Sequence, residues 1–304
     1  MKLAKTLKMW RLSKPWMNNL IKEYLQLYLQ KVVSGEADVS FDSITFFKRE
    51  CARSLGKQFT KSPRKWSMRM SGLGKPICQQ QLERDGVETK TELEYNSVNR
   101  FLFGDLLEAL IYVELKEAGV NTQAYQKPVS LELEGITLQG TLDIIIDGAV
   151  WDIKTSSPYA FTSKFTSYGR VKANDPFGYV VQGYLYAAAE NKPFGGWIVI
   201  NKSSGEIQIC SAPSIQDEER EAALNTAAYN IRILQDTTVP LQKLEDIPEK
   251  YKGTPTGNRL LNTTCSFCSF KSHCWPKAKL HHKVASDAKN PPMVWYSKLQ
   301  EIST

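Results

Sequence analysis

The chain has 304 residues, 42% of them hydrophobic, enough to bury the core of one large domain or of one domain with appendages. No stretch approaches the roughly 18 to 20 uninterrupted apolar residues that cross a bilayer, and the opening MKLAKTLKMWRLSKPWMNNL mixes charges into its apolar positions, so neither a membrane span nor a secretory signal is expected and a cytoplasmic protein is. Lys and Arg number 39 against 32 Asp and Glu, a net charge of +7 that suits a polyanionic partner, and six cysteines without a secretory signal argue against a disulfide framework.

In chain order, residues 1–33 read as helical, with Leu20, Ile21, Tyr24, Leu25, Tyr28 and Leu29 recurring on one face as a docking helix or N-terminal subdomain would have them. Residues 41–85 look irregular, and Gly72, Gly74 and Pro76 mark a loop running into Cys78. A helix is expected over 95–118, closed by Gly119. Residues 125–155 then alternate as strands, with turns at Glu134-Gly135 and Asp147-Gly148. The polar stretch 156–176, with Lys164, Arg170 and Lys172 among aromatic residues, reads as a mobile substrate-facing loop. A helix over 177–190, a hairpin at 195–201 and 206–210, and a long helix over 215–235 follow. A linker at 239–258 leads to a cysteine cluster and a tail, 277–304. The positive charge gathers in residues 1–31, in KSPRKWSMRM (61–70) and in KAKLHHK (277–283).

The informative segment runs from Gly140 to Lys154. A two-residue turn at Asp147-Gly148 makes opposed residues sum to 295, placing Asp143 across from Asp152. Alternation then puts Asp143, Ile145, Val150, Asp152 and Lys154 on one face, and Ile144, Ile146, Ala149, Trp151 and Ile153 on a wholly apolar face that must be buried. Opposed carboxylates lie roughly 4.5 to 5.5 Å apart at Cβ, which is unfavourable without positive charge between them. A divalent cation such as Mg²⁺, which takes oxygen ligands at about 2.1 Å, fits there. Lys154 can then activate water or neutralise charge on a phosphate. A solvated surface hairpin is the competing reading.

Gly140-Thr-Leu-Asp143, Asp152-Ile-Lys154 and Gln182-Gly-Tyr-Leu-Tyr186 together resemble the PD-(D/E)XK nuclease superfamily, in particular RecB-like exonucleases with an iron-sulfur cluster, including CRISPR-associated and phage-encoded members. The resemblance implies an α/β fold, a mixed central β-sheet flanked by helices as in restriction endonucleases. It further implies a helical N-terminal region (1–70), a nuclease core (71–240) and a C-terminal cluster-binding segment with a tail (241–304). Gln182 and Tyr186, four apart on one helix face, would reach the same phosphate or base. In Gly104-Asp-Leu-Leu-Glu108, Glu108 stands where the family's metal-ligating His would be, an acid that suits Mg²⁺ or Mn²⁺; Asp105 and Glu114 are weaker substitutes.

Cys265, Cys268 and Cys274 supply three thiolates, and the resemblance assigns Cys78 as the fourth ligand of a 4Fe–4S cluster joining the N- and C-terminal segments. Zinc, held by four cysteines or by three with His273, is the rival; Cys51 is a reserve ligand and Cys210 an ordinary thiol. The function implied is a Mg²⁺- or Mn²⁺-dependent exonuclease acting on DNA ends, preferably single-stranded or resected DNA, leaving 5′-phosphates. Metal would be held by Glu108, Asp143, Asp152 and the Ile153 carbonyl, with Lys154 assisting water and Gln182, Tyr186, Lys164, Arg170 and Lys172 on the strand. The alternatives are a catalytically silent DNA-binding protein, or an accessory protein in a recombination or CRISPR-adaptation complex with a helicase, recombinase or integrase partner.

Overall fold

Helix α1 (Trp16–Val33) leads to α2 (Phe41–Phe59), whose N-cap Ser40 accepts a hydrogen bond from the Ser43 amide. The computed structural model describes residues 16–60, 66–88 and 96–300, with side chains from residue 20, so much of the first two basic clusters lies outside the described residues. The expected irregular stretch 41–85 is in large part helical: after α2 comes α3 (Ile77–Arg84). The buried positions of α2 are Ser43, Glu50 and Ser54, so the hydrophobic periodicity that reveals a helix is missing from its buried face. The Ser40 and Ser43 hydroxyls both donate to Glu117, the last residue of α4 (Asn96–Glu117), and pin α2 alongside it.

Five strands form a mixed sheet in sequential order: β1 (Thr122–Leu133), β2 (Ile136–Ile146), β3 (Ala149–Ser156), β4 (Phe194–Asn201) and β5 (Ile207–Ser211). Only β3 and β4 pair in parallel. A parallel pair needs a crossover. It is built by α5 (Pro158–Ser163), α6 (Tyr168–Ala173) and α7 (Tyr179–Ala189), and α8 (Asp217–Gln235) follows β5. The expected loop at 156–176 is thus corrected to two capped short helices. Ser157 and Ser167 cap them, and Phe161, Phe165, Tyr168 and Val171 are buried, so aromatic burial holds this segment down.

Each face of the sheet has its own apolar layer. Ile144, Ile146, Ala149, Trp151 and Ile153, the face expected to be buried, pack with Ile198, Ile200 and with Ile21, Leu25, Ile111 and Leu115 of α1 and α4. On the other face Ile145, Val150, Trp197 and Val199 meet Val171, Tyr184, Leu185, Ala227 and Ile231 of α6, α7 and α8. The molecule is therefore a helix–sheet–helix sandwich in this region.

The expected linker and tail are also corrected. Residues 247–298 build an antiparallel four-stranded sheet, β6 (Ile247–Tyr251), β7 (Thr254–Leu260), β9 (Met293–Lys298) and β8 (Lys279–His282) in spatial order, with α9 (Thr263–Phe267) and α10 (Lys271–Cys274) between β7 and β8. These strands are short and largely exposed, which hides them from apolar alternation. Among the described residues, no helix is long and apolar enough to cross a membrane.

Candidate active site

The site begins at a turn. Asp147 and Gly148 both have positive φ, +47° and +78°, as a two-residue hairpin turn requires. The register follows as expected through Ile146↔Ala149, Ile145↔Val150 and Ile144↔Trp151. Beyond that pair the two strands part, one step short of the expected Asp143–Asp152 pair. Asp143 instead turns its carboxylate across the gap, and Oδ2 accepts from the Ile153 amide at 2.8 Å. A side chain has replaced a backbone carbonyl in the ladder, opening a fork between β2 and β3.

Into this fork points Asp152, only 2% exposed. The Lys154 ammonium lies 2.9 Å from its Oδ1 and 2.7 Å from its Oδ2. Nζ of Lys154 also stands 4.8 Å from the centre of the Tyr179 ring. From α4, Glu108 accepts a hydrogen bond from Gln126 Nε2. Gln126 sits between the pairs Tyr125↔Ile144 and Lys127↔Leu142, which sets it across from Asp143, and its φ of +47° is a left-handed conformation unusual for a non-glycine residue.

These acids are electrostatically frustrated. Burial, then Glu108 and Asp152, hold the Asp143 carboxyl well above the usual range. Burial likewise pushes Glu108 up to about 7, although Gln126 and Lys154 pull it down. Burial alone would lower Lys154, but Asp152 and Asp143 outweigh it and raise the ammonium. Three carboxylates thus share one lysine. As the side chains stand, no group of three His, Cys, Asp or Glu among the described residues is arranged to hold a metal ion; at the fork, Lys154 covers both oxygens of Asp152. The donor chemistry, crowded carboxylate oxygens short of positive charge, fits a hard divalent cation.

The helical motif approaches from the face of the sheet that carries Asp152 and Lys154, opposite α4. Gln182 Nε2 donates to the Tyr186 hydroxyl at 3.4 Å, and burial raises that phenol to about 12, with Asp143 and Asp152 adding to the shift. Gly140 is what admits the ring: a Cβ there would lie 2.5 Å from Cε1 of Tyr186. Lys164 also reaches the site, its Nζ 4.5 Å from the Tyr179 ring centre and 3.9 Å from Asp175.

The other cations of that segment are placed elsewhere. Lys172 is 2.7 Å from Glu219 on α8, and Arg170 is exposed on α6. Asp105 is engaged by Lys57 and Gln58 of α2, and Glu114 is a half-buried acid farther along α4, pushed up to about 7 by burial. Sequence reasoning missed Tyr179 and Gln126. Tyr179 could have been found as a helical neighbour of the Gln182 motif, whereas nothing in the sequence marks Gln126, whose role comes from register and backbone conformation.

The four expected cluster cysteines line one cavity with Leu82, Lys243, Phe270 and Trp275. Cys78 comes from α3, and Cys265, Cys268 and Cys274 come from around α9 and α10. None is in a disulfide. Burial raises Cys78, then Cys265 adds, while backbone hydrogen bonds from Leu244 and Gln79 oppose. Burial also pushes Cys268 up to about 11, against a backbone hydrogen bond from Phe270. His273 is exposed on α10, Cys51 lies on α2, and Cys210 is buried in β5.

A backbone contact links the approach to this cavity with the start of α7. Gly178, at φ +75°, precedes α7 and touches Gly74 of the segment leading into Cys78: a Cβ on Gly178 would stand 2.2 Å from the Gly74 carbonyl carbon. Asn230 of α8 donates to the Leu73 carbonyl at 2.7 Å and holds the same segment from behind.

No family model matches the chain, and no curated protein matches it. Among solved structures, the chain is similar at 14% identity to the protein designated SSO0001, over 75% of this chain and 95% of that one, with a TM-score of 0.40. It is similar at 13% identity to a Eubacterium rectale protein provisionally named an exonuclease, over 72% of this chain and 82% of that one, with a TM-score of 0.33.

Proposed function

We propose that the chain is a divalent-metal-dependent deoxyribonuclease of the PD-(D/E)XK type, acting as an exonuclease on DNA ends with single-stranded or resected DNA as substrate. One observation supports this above the others: Asp143, Asp152 and Glu108 converge on the fork between β2 and β3 with Lys154 as their shared cation. Mg²⁺ or Mn²⁺ held by Glu108, Asp143, Asp152 and the Ile153 carbonyl would supply Lewis-acid charge to the scissile phosphate. Lys154, released from Asp152, stabilises negative charge building on the phosphoryl oxygens. Gln182 and Tyr186 orient the strand from the α7 side. Water adds to phosphorus, the bond from phosphorus to the 3′ oxygen breaks, and the products are a 3′-hydroxyl and a 5′-phosphate.

The four cysteines are read as ligands of a 4Fe–4S cluster. Supporting this are the shared cavity and the backbone hydrogen bonds at Cys78 and Cys268. A 4Fe–4S cluster takes four cysteine thiolates. Its role would be to fasten Cys78 to the C-terminal segment. The test is digestion of 5′- and 3′-labelled strands by anaerobically purified protein with Mn²⁺. Loss of cleavage in Asp152→Ala and Lys154→Ala is expected; unchanged cleavage in both would sink the proposal. Iron and sulfide analysis, with broad absorption near about 400 nm, separates iron from zinc.

A further inference from the structure

Next to the fork an aromatic series leads outward. The rings of Phe165 and Tyr179 stack with centres 6.3 Å apart, Tyr179 and Phe177 stack at 5.5 Å, and Phe177 meets Phe267 at 5.9 Å. Phe165 is buried and anchors the series, but Phe177 is 41% exposed and Phe267 66% exposed. Lys154 and Lys164 flank its inner end, with Nζ of Lys164 also 5.5 Å from the Phe177 ring centre. The series thus begins over the lysine of the fork and ends on α9, between Cys265 and Cys268.

Two elements far apart in sequence present these rings together, and their exposure is unfavourable in water. Contiguous exposed aromatic surface marks a binding site. Stacking rings beside fixed ammonium groups are the combination that binds unpaired nucleic acid, because every base has a π-face and every nucleotide a phosphate. Paired bases in a duplex already stack on their neighbours and show only their edges in the grooves. The contact between Gly74 and Gly178 sets the turn carrying Phe177 before any strand arrives.

We infer that Phe177 and Phe267 form a stacking ledge that carries unpaired bases of a DNA strand between the cysteine-bearing segment and the fork, with Lys164 on the phosphates, so that substrate must be single-stranded where it enters. This rests on the nuclease reading of the fork, but it is tested by binding alone. A fluorescein-labelled oligonucleotide of about 20 nucleotides, single-stranded or annealed, is titrated with protein in Ca²⁺ and followed by anisotropy. Wild type is expected to bind the single strand at least about tenfold more tightly than the duplex. Phe177→Ala and Phe267→Ala should each weaken single-strand binding about tenfold and leave duplex binding unchanged, while Phe177→Trp holds it. Both aromatic positions are exposed, and thermal melting checks that the variants stay folded.

Equal affinity of wild type for the two forms, or wild-type affinity in both alanine variants, overturns the ledge. So does a variant that changes only the oligomeric state on size exclusion, since the rings would then cover a second copy. Cleavage separates the two ideas. Wild type that never cleaves, while the ring variants lose single-strand binding, sinks the nuclease reading alone. Intact cleavage with unaltered binding in the ring variants sinks the ledge alone.

Discussion

Two groups of buried carboxylates in this chain titrate in opposite directions. At the fork, Asp143 and Glu108 are raised by burial and by one another. In the C-terminal sheet Glu249, 1% exposed, is lowered: burial alone would raise it, but its hydrogen bonds outweigh that. Its oxygens accept from the Tyr296 hydroxyl at 2.6 Å, Asn258 Nδ2 at 2.8 Å, the Thr256 hydroxyl at 3.0 Å and the Ala285 amide at 3.3 Å. Burial is common to both regions, and what differs is the supply of donors. A carboxylate surrounded by fixed N–H and O–H groups is complete and serves structure, whereas acids that face each other around one lysine are short of positive charge and suited to chemistry.

The largest effect that could break this contrast is at Lys154. Lys154→Ala should cut DNA cleavage by about 10²- to 10³-fold, the usual scale for removing one charge-stabilising donor, and lower the melting temperature because Asp152 loses its buried partner, while the protein stays folded. A full loss of folding there would mean that the fork, too, is structural. Next comes Glu249→Ala, which strands four donors in the C-terminal sheet and should cost about 3 kcal/mol of stability by denaturant unfolding, with Glu249→Gln costing less. Retained stability in the alanine variant would contradict the structural role. Gly140→Ala drives a methyl into the Tyr186 ring and should cost about 1 to 3 kcal/mol or displace the ring, seen as a fall in cleavage that stability alone does not explain.

The smallest expected effect is on the pH dependence of stability in metal-free protein, because Lys154 gains within the same cluster what the acids lose. Glu108 is raised from 4.5 to about 7, so in that window the native state holds a proton that the unfolded chain has released. Stability from this group therefore falls as pH rises from about 4.5 to about 7. Mn²⁺ should flatten that slope in a melting series. Glu249 acts with the opposite sign: its lowered value gives stability that is present above its ordinary 4.5 and lost as pH falls through its folded value.

The contrast also shows what the sequence makes legible. The Asp147-Gly148 turn and the alternation around it yield the register of β2 and β3 and the buried face of the hairpin, because both depend on neighbours in sequence. The parting of the strands at Asp143 was not legible, since it depends on a side chain taking the Ile153 amide. The same holds for α2, which buries polar residues, and for the C-terminal sheet, whose centre is a glutamate. Arg170 and Lys172 looked substrate-facing in a polar stretch, but capping serines and buried aromatics turned it into helices that aim Lys172 at Glu219.

The contact between Gly74 and Gly178 has a bearing on how this chain can vary. Neither position has room for even a methyl group, and each excludes it because of the other's backbone. Gly74 and Gly178 are therefore fixed together, whatever the residues around them do. The turn that offers Phe177 and the approach to Cys78 would then be inherited as one unit, with both glycines retained wherever relatives of this sequence keep the contact.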